Sequence, residues 1–180
     1  MKEIEVKAYL KNKKQIIEKL QSLGCTFDTP VFQNSMEFSS IENPTLEEYL
    51  KPNFFLRIRT TNGKHVFSIK KPIIDEHPLS KIEHETEIIN RKELESLLAV
   101  MGYFPSLQIK KERLIGHIDG YEICLDEVEN LGSFIEIEKM SDENPTIVRK
   151  EIQDFLFSLG VLPEDEVHEG YDILMFKKNR

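Results

Sequence analysis

Apolar and polar positions alternate from the start of the chain. Ile4, Val6, Ala8 and Leu10 share one face of residues 2–10, and Glu3, Glu5 and Lys7 share the other, the period-two pattern of a strand. The pattern then switches. Asn12 is placed to cap a helix ending at Gly24, with Ile16, Ile17, Leu20 and Leu23 as its apolar stripe. Residues 26–38 read as β-rich, interrupted by Pro30, and 39–53 as a loop with one helical turn around Leu46 to Leu50. Residues 54–60 and 65–71 form two short strands about Asn62-Gly63, a strong hairpin signal.

Residues 72–80 are a polar connection that could act as a mobile lid, and 82–89 alternate again with Glu83, Glu85 and Glu87 in phase. Asn90 is expected to cap a second helix with Leu94, Leu97, Leu98 and Met101 facing inward. Strands follow near 107–116, 119–127 and 132–140, the first pair turning at Asp119-Gly120. A third helix starts near Asn144 with Pro145 at its first position, its stripe being Ile147, Val148, Ile152, Phe155 and Leu159. Residues 171–176 read as a last strand or a packed flap. These elements predict an α+β fold in one domain over residues 1–180, with about eight antiparallel strands and three helices.

Composition narrows the function. The net charge of −8 argues against broad nucleic-acid binding, which needs a basic face, but leaves room for a small anion at a local basic cluster. Cys25 and Cys124 have no metal-ligand spacing and are expected as free thiols in a reducing cytosol. No apolar run reaches the roughly 20 residues that span a bilayer, so the expected setting is cytoplasmic. On base rates alone the expected assembly is an isologous homodimer.

The position of the charges is more informative. One charged strand face is most simply a solvent face, yet here the arrangement recurs: Glu3, Glu5 and Lys7; Arg57 and Arg59; Glu83 and Glu85; Glu136 and Glu138. The helices' apolar stripes need aliphatic strand faces to cover. If those faces point outward, the charged faces point inward, giving a closed eight-stranded barrel with a polar, charged interior and helices packed outside. Such charges must be paired or ligand-bound. Lys7, Arg57, Arg59, Lys70, Lys111 and Arg113 suit phosphate oxygens. The carboxylates, including Glu85 and Asp126, would repel the same ligand unless Mg²⁺ or Mn²⁺ stood between them. Mixed signs in one cavity therefore imply a metal–polyphosphate complex. Residues 107–116 fit this least well, since Lys111 and Arg113 share a face with Ile109 and Ile115.

The same residues resemble the CYTH superfamily, the triphosphate tunnel metalloenzymes. Glu3-x-Glu5-x-Lys7, Leu56-Arg57-Ile58-Arg59, Ser68-Ile69-Lys70-Lys71-Pro72, Glu83-x-Glu85, Lys111-x-Arg113, Leu125-Asp126 and Phe134-x-Glu136-x-Glu138 occur in the family's order. The stretch from Met101-Gly102-Tyr103 to Lys111-Glu112-Arg113 is most similar to the CyaB-type branch, the class IV adenylyl cyclases. The resemblance implies phosphate-binding roles for the six cations. It implies metal-binding or metal-orienting roles for Glu3, Glu5, Asp126, Glu136 and Glu138, with Glu85 also lining the tunnel. Glu5, Glu136 and Lys70 are the implied catalytic residues. Where close relatives often carry Asp-x-Tyr, this chain has Ser35-Met36-Glu37.

The activity so implied is conversion of ATP to cyclic AMP and pyrophosphate. The alternatives are hydrolysis of inorganic tripolyphosphate, a nucleoside triphosphate or thiamine triphosphate, and a non-catalytic polyphosphate-binding module. His65, His77, His84, His117 and His168 show no ligand spacing, Cys124 reads as a small buried residue, and Glu164-Asp165-Glu166 as a solvated acidic loop.

Overall fold

The computed structural model describes residues 2–72 and 81–178, so the connection expected at 72–80 lies, beyond Pro72, outside the described residues. The strands are β1 (Lys2–Tyr9), β2 (Thr26–Phe27), β3 (Val31–Ser39), β4 (Phe55–Thr61), β5 (Lys64–Pro72), β6 (Lys81–Ile88), β7 (Phe104–Ile118), β8 (Tyr121–Val128), β9 (Gly132–Ser141) and β10 (Glu166–Val167). The helices are α1 (Lys13–Ser22), α2 (Leu46–Leu50), α3 (Arg91–Val100), α4 (Pro145–Ser158) and α5 (Tyr171–Lys178).

The fold is α+β with an antiparallel sheet and, among the described residues, five α-helices. Hydrogen bonds do not close the sheet among those residues, so a closed barrel is not established. Three expectations change. Residues 171–176 lie in the helix α5, the two-residue strand β10 had no alternation to announce it, and the acidic segment is not simply solvated. Asp165 pairs with Lys11 at 2.7 Å, and Glu166 pairs into the sheet and accepts from Gln153 Nε2 at 2.9 Å.

The residues form two compact units. In the first, residues 1–31 and 112–168, the strand order is β10-β1-β9-β8-β7, with β2 on β7. Ile4, Val6 and Ala8 of β1, Ile123 and Leu125 of β8, and Ile135 and Ile137 of β9 join Ile16, Leu20, Val148, Ile152 and Leu156 in one core. The helices α1 and α4 thus cover the aliphatic strand faces. Both are capped as their sequences suggest: Asn12 Oδ1 accepts from Gln15 N–H, and Asn144 Oδ1 from Thr146 N–H ahead of Pro145. The stripe of α4 is rotated from the expected one, for Ile147 is exposed and Leu156 buried.

The second unit, residues 32–111 and 169–180, orders its strands β7-β3-β4-β5-β6. Asn62 and Gly63 adopt positive φ of 50° and 78°, the pair of left-handed residues that a tight hairpin requires. The core is Phe38, Leu56, Ile58 and Leu98. Leu98 is buried and Leu94 packs against this core, as expected, whereas Leu97 and Met101 are exposed, contrary to the expected inward stripe.

Candidate functional site

In the first unit, β1, β8 and β9 bury their aliphatic faces, so the opposite face collects the charges. Register sets the rows: Lys7 lies opposite Glu136, Glu5 opposite Glu138, and Cys124 opposite Glu136 on the other side. Lys7 Nζ is 3.0 Å from Glu136 Oε1 and 3.1 Å from Glu5 Oε1. Arg113 of β7 donates through Nε to Asp126 Oδ1 at 2.7 Å and through Nη2 to Asp126 Oδ2 at 2.6 Å, and also to Glu136 Oε2. Lys7, Arg113, Asp126 and Glu136 are all buried, Asp126 completely. Such burial is tolerated only with this degree of pairing.

Burial works against the Lys7 ammonium, but Glu136 and Glu5 hold its pKa above the ordinary lysine value. Burial likewise opposes the Arg113 charge and is overcome by Glu136 and Asp126, which raise its pKa. The acids are in excess. Glu138 is pushed up to about 8, by burial first and then by the charges of Glu136, Glu5 and Glu3. Oxygen atoms of Glu3, Glu5 and Glu138 lie within 4.8 Å of one another, and Cys124, Glu136 and Glu138 form a second such group. The all-oxygen group suits a hard divalent cation. Cys124 is fully buried, and burial raises its thiol pKa, so it is no activated nucleophile.

The second unit gathers cations. Register places Glu37 opposite Arg57, Arg57 opposite Ser68, and Ser68 opposite Glu85, while Lys70 faces Glu83. Arg57 Nη2 donates to Glu83 Oε1 at 2.8 Å and Glu85 Oε1 at 3.1 Å, and its Nε donates to Ser68 Oγ at 3.2 Å. Lys70 Nζ meets Glu83 Oε2 at 2.6 Å. Burial alone would raise the Glu83 pKa, but Lys70, a hydrogen bond with Glu85 and Arg57 bring it below the usual carboxylate range. Burial and Glu83 push Glu85 the other way. Arg59 sits on β4 opposite Ser35. Lys111 is buried on β7, its ammonium 4.9 Å from the centre of the Tyr171 ring, a cation–π contact. Tyr49, on α2, donates its hydroxyl to Asp172 at 3.1 Å and ties α2 to α5.

Structure thus groups Glu3, Glu5, Lys7, Arg113, Asp126, Glu136 and Glu138 in one unit, and Arg57, Arg59, Lys70, Glu85 and Lys111 in the other. The sequence reading gave no role to Glu37, Ser68 or Tyr49. Gln33, Ser35 and Glu37 are all buried, and their polar alternation was the available signal. Ser68 shares its face with Lys70 at a spacing of two. Tyr49 had no local signal. His117 lies 3.1 Å from Asp28 on the surface, and His65 Nδ1 lies 2.8 Å from Thr60 Oγ1, in keeping with structural roles. His77 lies outside the described residues.

Comparison with known proteins places this geometry. The CYTH domain pattern matches residues 1–171. The protein of Methanocaldococcus jannaschii named "Putative adenylate cyclase MJ0240" is 28% identical over 173 residues, 95% of this chain and 97% of its own length. "Adenylate cyclase CyaB" of Aeromonas hydrophila is 24% identical over 152 residues, 83% of this chain and 70% of its own. Among solved structures, the PH1819 protein of Pyrococcus horikoshii OT3 has a TM-score of 0.81 at 28% identity, over 98% of this chain and 99% of that one. With buried acid–base rows on its strands and a family match running nearly from end to end, this chain belongs to the CYTH domain family.

Proposed function

We propose that this protein is a metal-dependent enzyme acting on a triphosphate, and that its reaction converts ATP to cyclic AMP and pyrophosphate. One observation carries the reading. Among the described residues of the first unit, five carboxylates (Glu3, Glu5, Asp126, Glu136 and Glu138) gather about Lys7 and Arg113, and burial, then the charges of Glu136, Glu5 and Glu3, raises Glu138 to about 8. A divalent cation relieves that imbalance, and the oxygen donors fit Mg²⁺ or Mn²⁺.

Glu3, Glu5 and Glu138 would hold the ion, with Asp126 and Glu136 oriented by Arg113 and Lys7. When bound, it neutralises phosphate charge and polarises the phosphoryl oxygens. Arg57, Arg59, Lys70 and Lys111 supply cationic donors to the phosphates, the arginines in fork geometry. In cyclisation the ribose 3′-oxygen bonds to the α-phosphorus and the bond from that phosphorus to the α–β bridging oxygen breaks. Pyrophosphate departs with its charge held by the basic residues, and the hydroxyl proton passes to water. The names of the M. jannaschii and A. hydrophila relatives support cyclisation over hydrolysis. The same proposal includes the closed barrel, a single domain over residues 1–180 and a homodimer. It also includes a cytoplasmic setting, which the free thiols of Cys25 and Cys124 support. No helix among the described residues is long and apolar enough to cross a membrane.

The test is to incubate the purified protein with ATP, tripolyphosphate or thiamine triphosphate plus Mg²⁺ or Mn²⁺, and separate the products. Cyclic AMP with pyrophosphate is the expected result. Orthophosphate alone would reassign the protein as a triphosphate hydrolase, and tight binding without turnover as a polyphosphate-binding module.

A further inference from the structure

β1 carries Glu3, Glu5 and Lys7, yet strands flank it on both sides only briefly. It pairs with β9 over its whole length, whereas β10 meets it at Lys7 and Ala8 alone. Upstream of Lys7, β9 is its only strand partner among the described residues. Backbone paired on one side opens more readily than a central strand, and Glu3 and Glu5 lie in that stretch.

A side chain stands where the second strand has ended. Arg149 Nη1 donates to the main-chain carbonyl of Glu5 at 2.6 Å, a charge-assisted bond. The donor has a fixed base, because Val148, Ile152 and Leu156 of α4 are fully buried in the first unit's core. Burial lowers the Arg149 pKa, and the carboxylates of Glu166 and Glu5 oppose that shift. One turn further along α4, Gln153 Nε2 lies 2.9 Å from both carboxylate oxygens of Glu166 in β10. Arg149 thus secures β1 beyond the end of β10, and Gln153 secures β10 itself.

We propose that Arg149 is a positioning residue for the metal ion: by holding the Glu5 main chain from α4, it keeps the Glu5 carboxylate within reach of Glu3 and Glu138. The inference rests on the reading that these three carboxylates hold a divalent cation, and it adds to them a residue outside the charged face. Simple electrostatics predicts the opposite sign. A guanidinium near Glu5 repels a metal ion, so its charge alone would make removal tighten binding; loss of positioning weakens it.

Mg²⁺ and Mn²⁺ binding by Arg149→Ala, Arg149→Lys and Gln153→Ala is measured by titration calorimetry. Hydrogen exchange over residues 2–6 is followed by mass spectrometry, and thermal melts confirm folding. Arg149→Ala should bind either ion about tenfold more weakly, the scale of loss for outer partners of a metal ligand, and should exchange faster over residues 2–6. Arg149→Lys, which keeps a cationic donor, should recover part of the affinity. Gln153→Ala should lower Tm yet keep ion affinity within about twofold of wild type, since the bond to Glu5 survives. Unchanged or tighter binding in Arg149→Ala, or an equal loss in Gln153→Ala, overturns the positioning role while wild-type binding leaves the metal reading standing. If Arg149→Ala does not fold, Arg149→Lys decides: an intermediate loss supports the role and wild-type affinity overturns it. No binding of either ion by the wild type overturns the metal reading and this inference with it.

Discussion

The two units solve the same problem, charges on a strand face, in opposite ways. In the first, Lys7, Arg113, Asp126 and Glu136 are buried and held by one another, and acids outnumber cations. In the second, Arg57 is itself buried, but it and Lys70 lean on Glu83 and Glu85, whose side chains are 29% and 45% exposed. Adding Arg59 and Lys111 leaves that unit rich in cations. Buried pairs are costly to break, because the survivor keeps its desolvation penalty; exposed pairs are not, because water takes over. On the reading proposed above, the first unit would hold a cation in fixed geometry. On the same reading, the second would exchange its carboxylate partners for phosphate oxygens.

That contrast breaks most sharply on activity. Glu136→Gln and Glu5→Gln should each lower metal-dependent turnover by more than about a hundredfold, since even outer partners of a metal ligand are worth 10–100-fold. Full turnover in both, by product chromatography, would remove the acidic cluster from the site. Stability is the next measure. Arg113→Ala strands Asp126 and Glu136 in a buried setting and should cost about 3–5 kcal/mol. Arg57→Ala leaves Glu83 and Glu85 within reach of water, so it should cost less than Arg113→Ala, and it should chiefly weaken tripolyphosphate binding. Urea denaturation of the two variants side by side measures the difference. Equal losses would erase the distinction between the units.

The sequence showed this contrast only in part. β1 was legible on both faces, because alternation reports a strand with one aliphatic side whatever lies against it. The hairpins were legible because Asn62-Gly63 and Asp119-Gly120 take left-handed φ values that few other residues tolerate. Helix stripes were less legible. Leu97, Met101 and Ile147 keep a helical spacing, yet which side of a helix is buried depends on the partner surface, and these residues are exposed. The short apolar run 171–176 could not be told from a strand by period. What ties it down is Tyr49 bonding Asp172, a contact across 123 residues. Glu37 was noticed only as a departure from a pattern, although its position opposite Arg57 makes it part of the same row.

A pH profile of stability tests the acid excess directly. Glu138 ionises at about 8 in the folded chain and near 4.3 when unfolded. Between those values the native state keeps a proton that the unfolded state has released, so stability falls as pH rises through the window. The contribution is fully present below about 4.3 and is lost as pH passes about 8. Glu138→Gln cannot ionise. Without metal the variant should therefore match the wild type near pH 4 and exceed it in Tm near pH 9. If the carboxylates hold the ion as proposed, Mg²⁺ would take the proton's place, raise the wild-type Tm at pH 9 and leave the variant less responsive. Glu85 is also raised, but its greater exposure screens it, so Glu85→Gln should shift the profile less. Thermal melts across pH, with and without Mg²⁺, would refute the acid excess if wild type and Glu138→Gln ran parallel throughout.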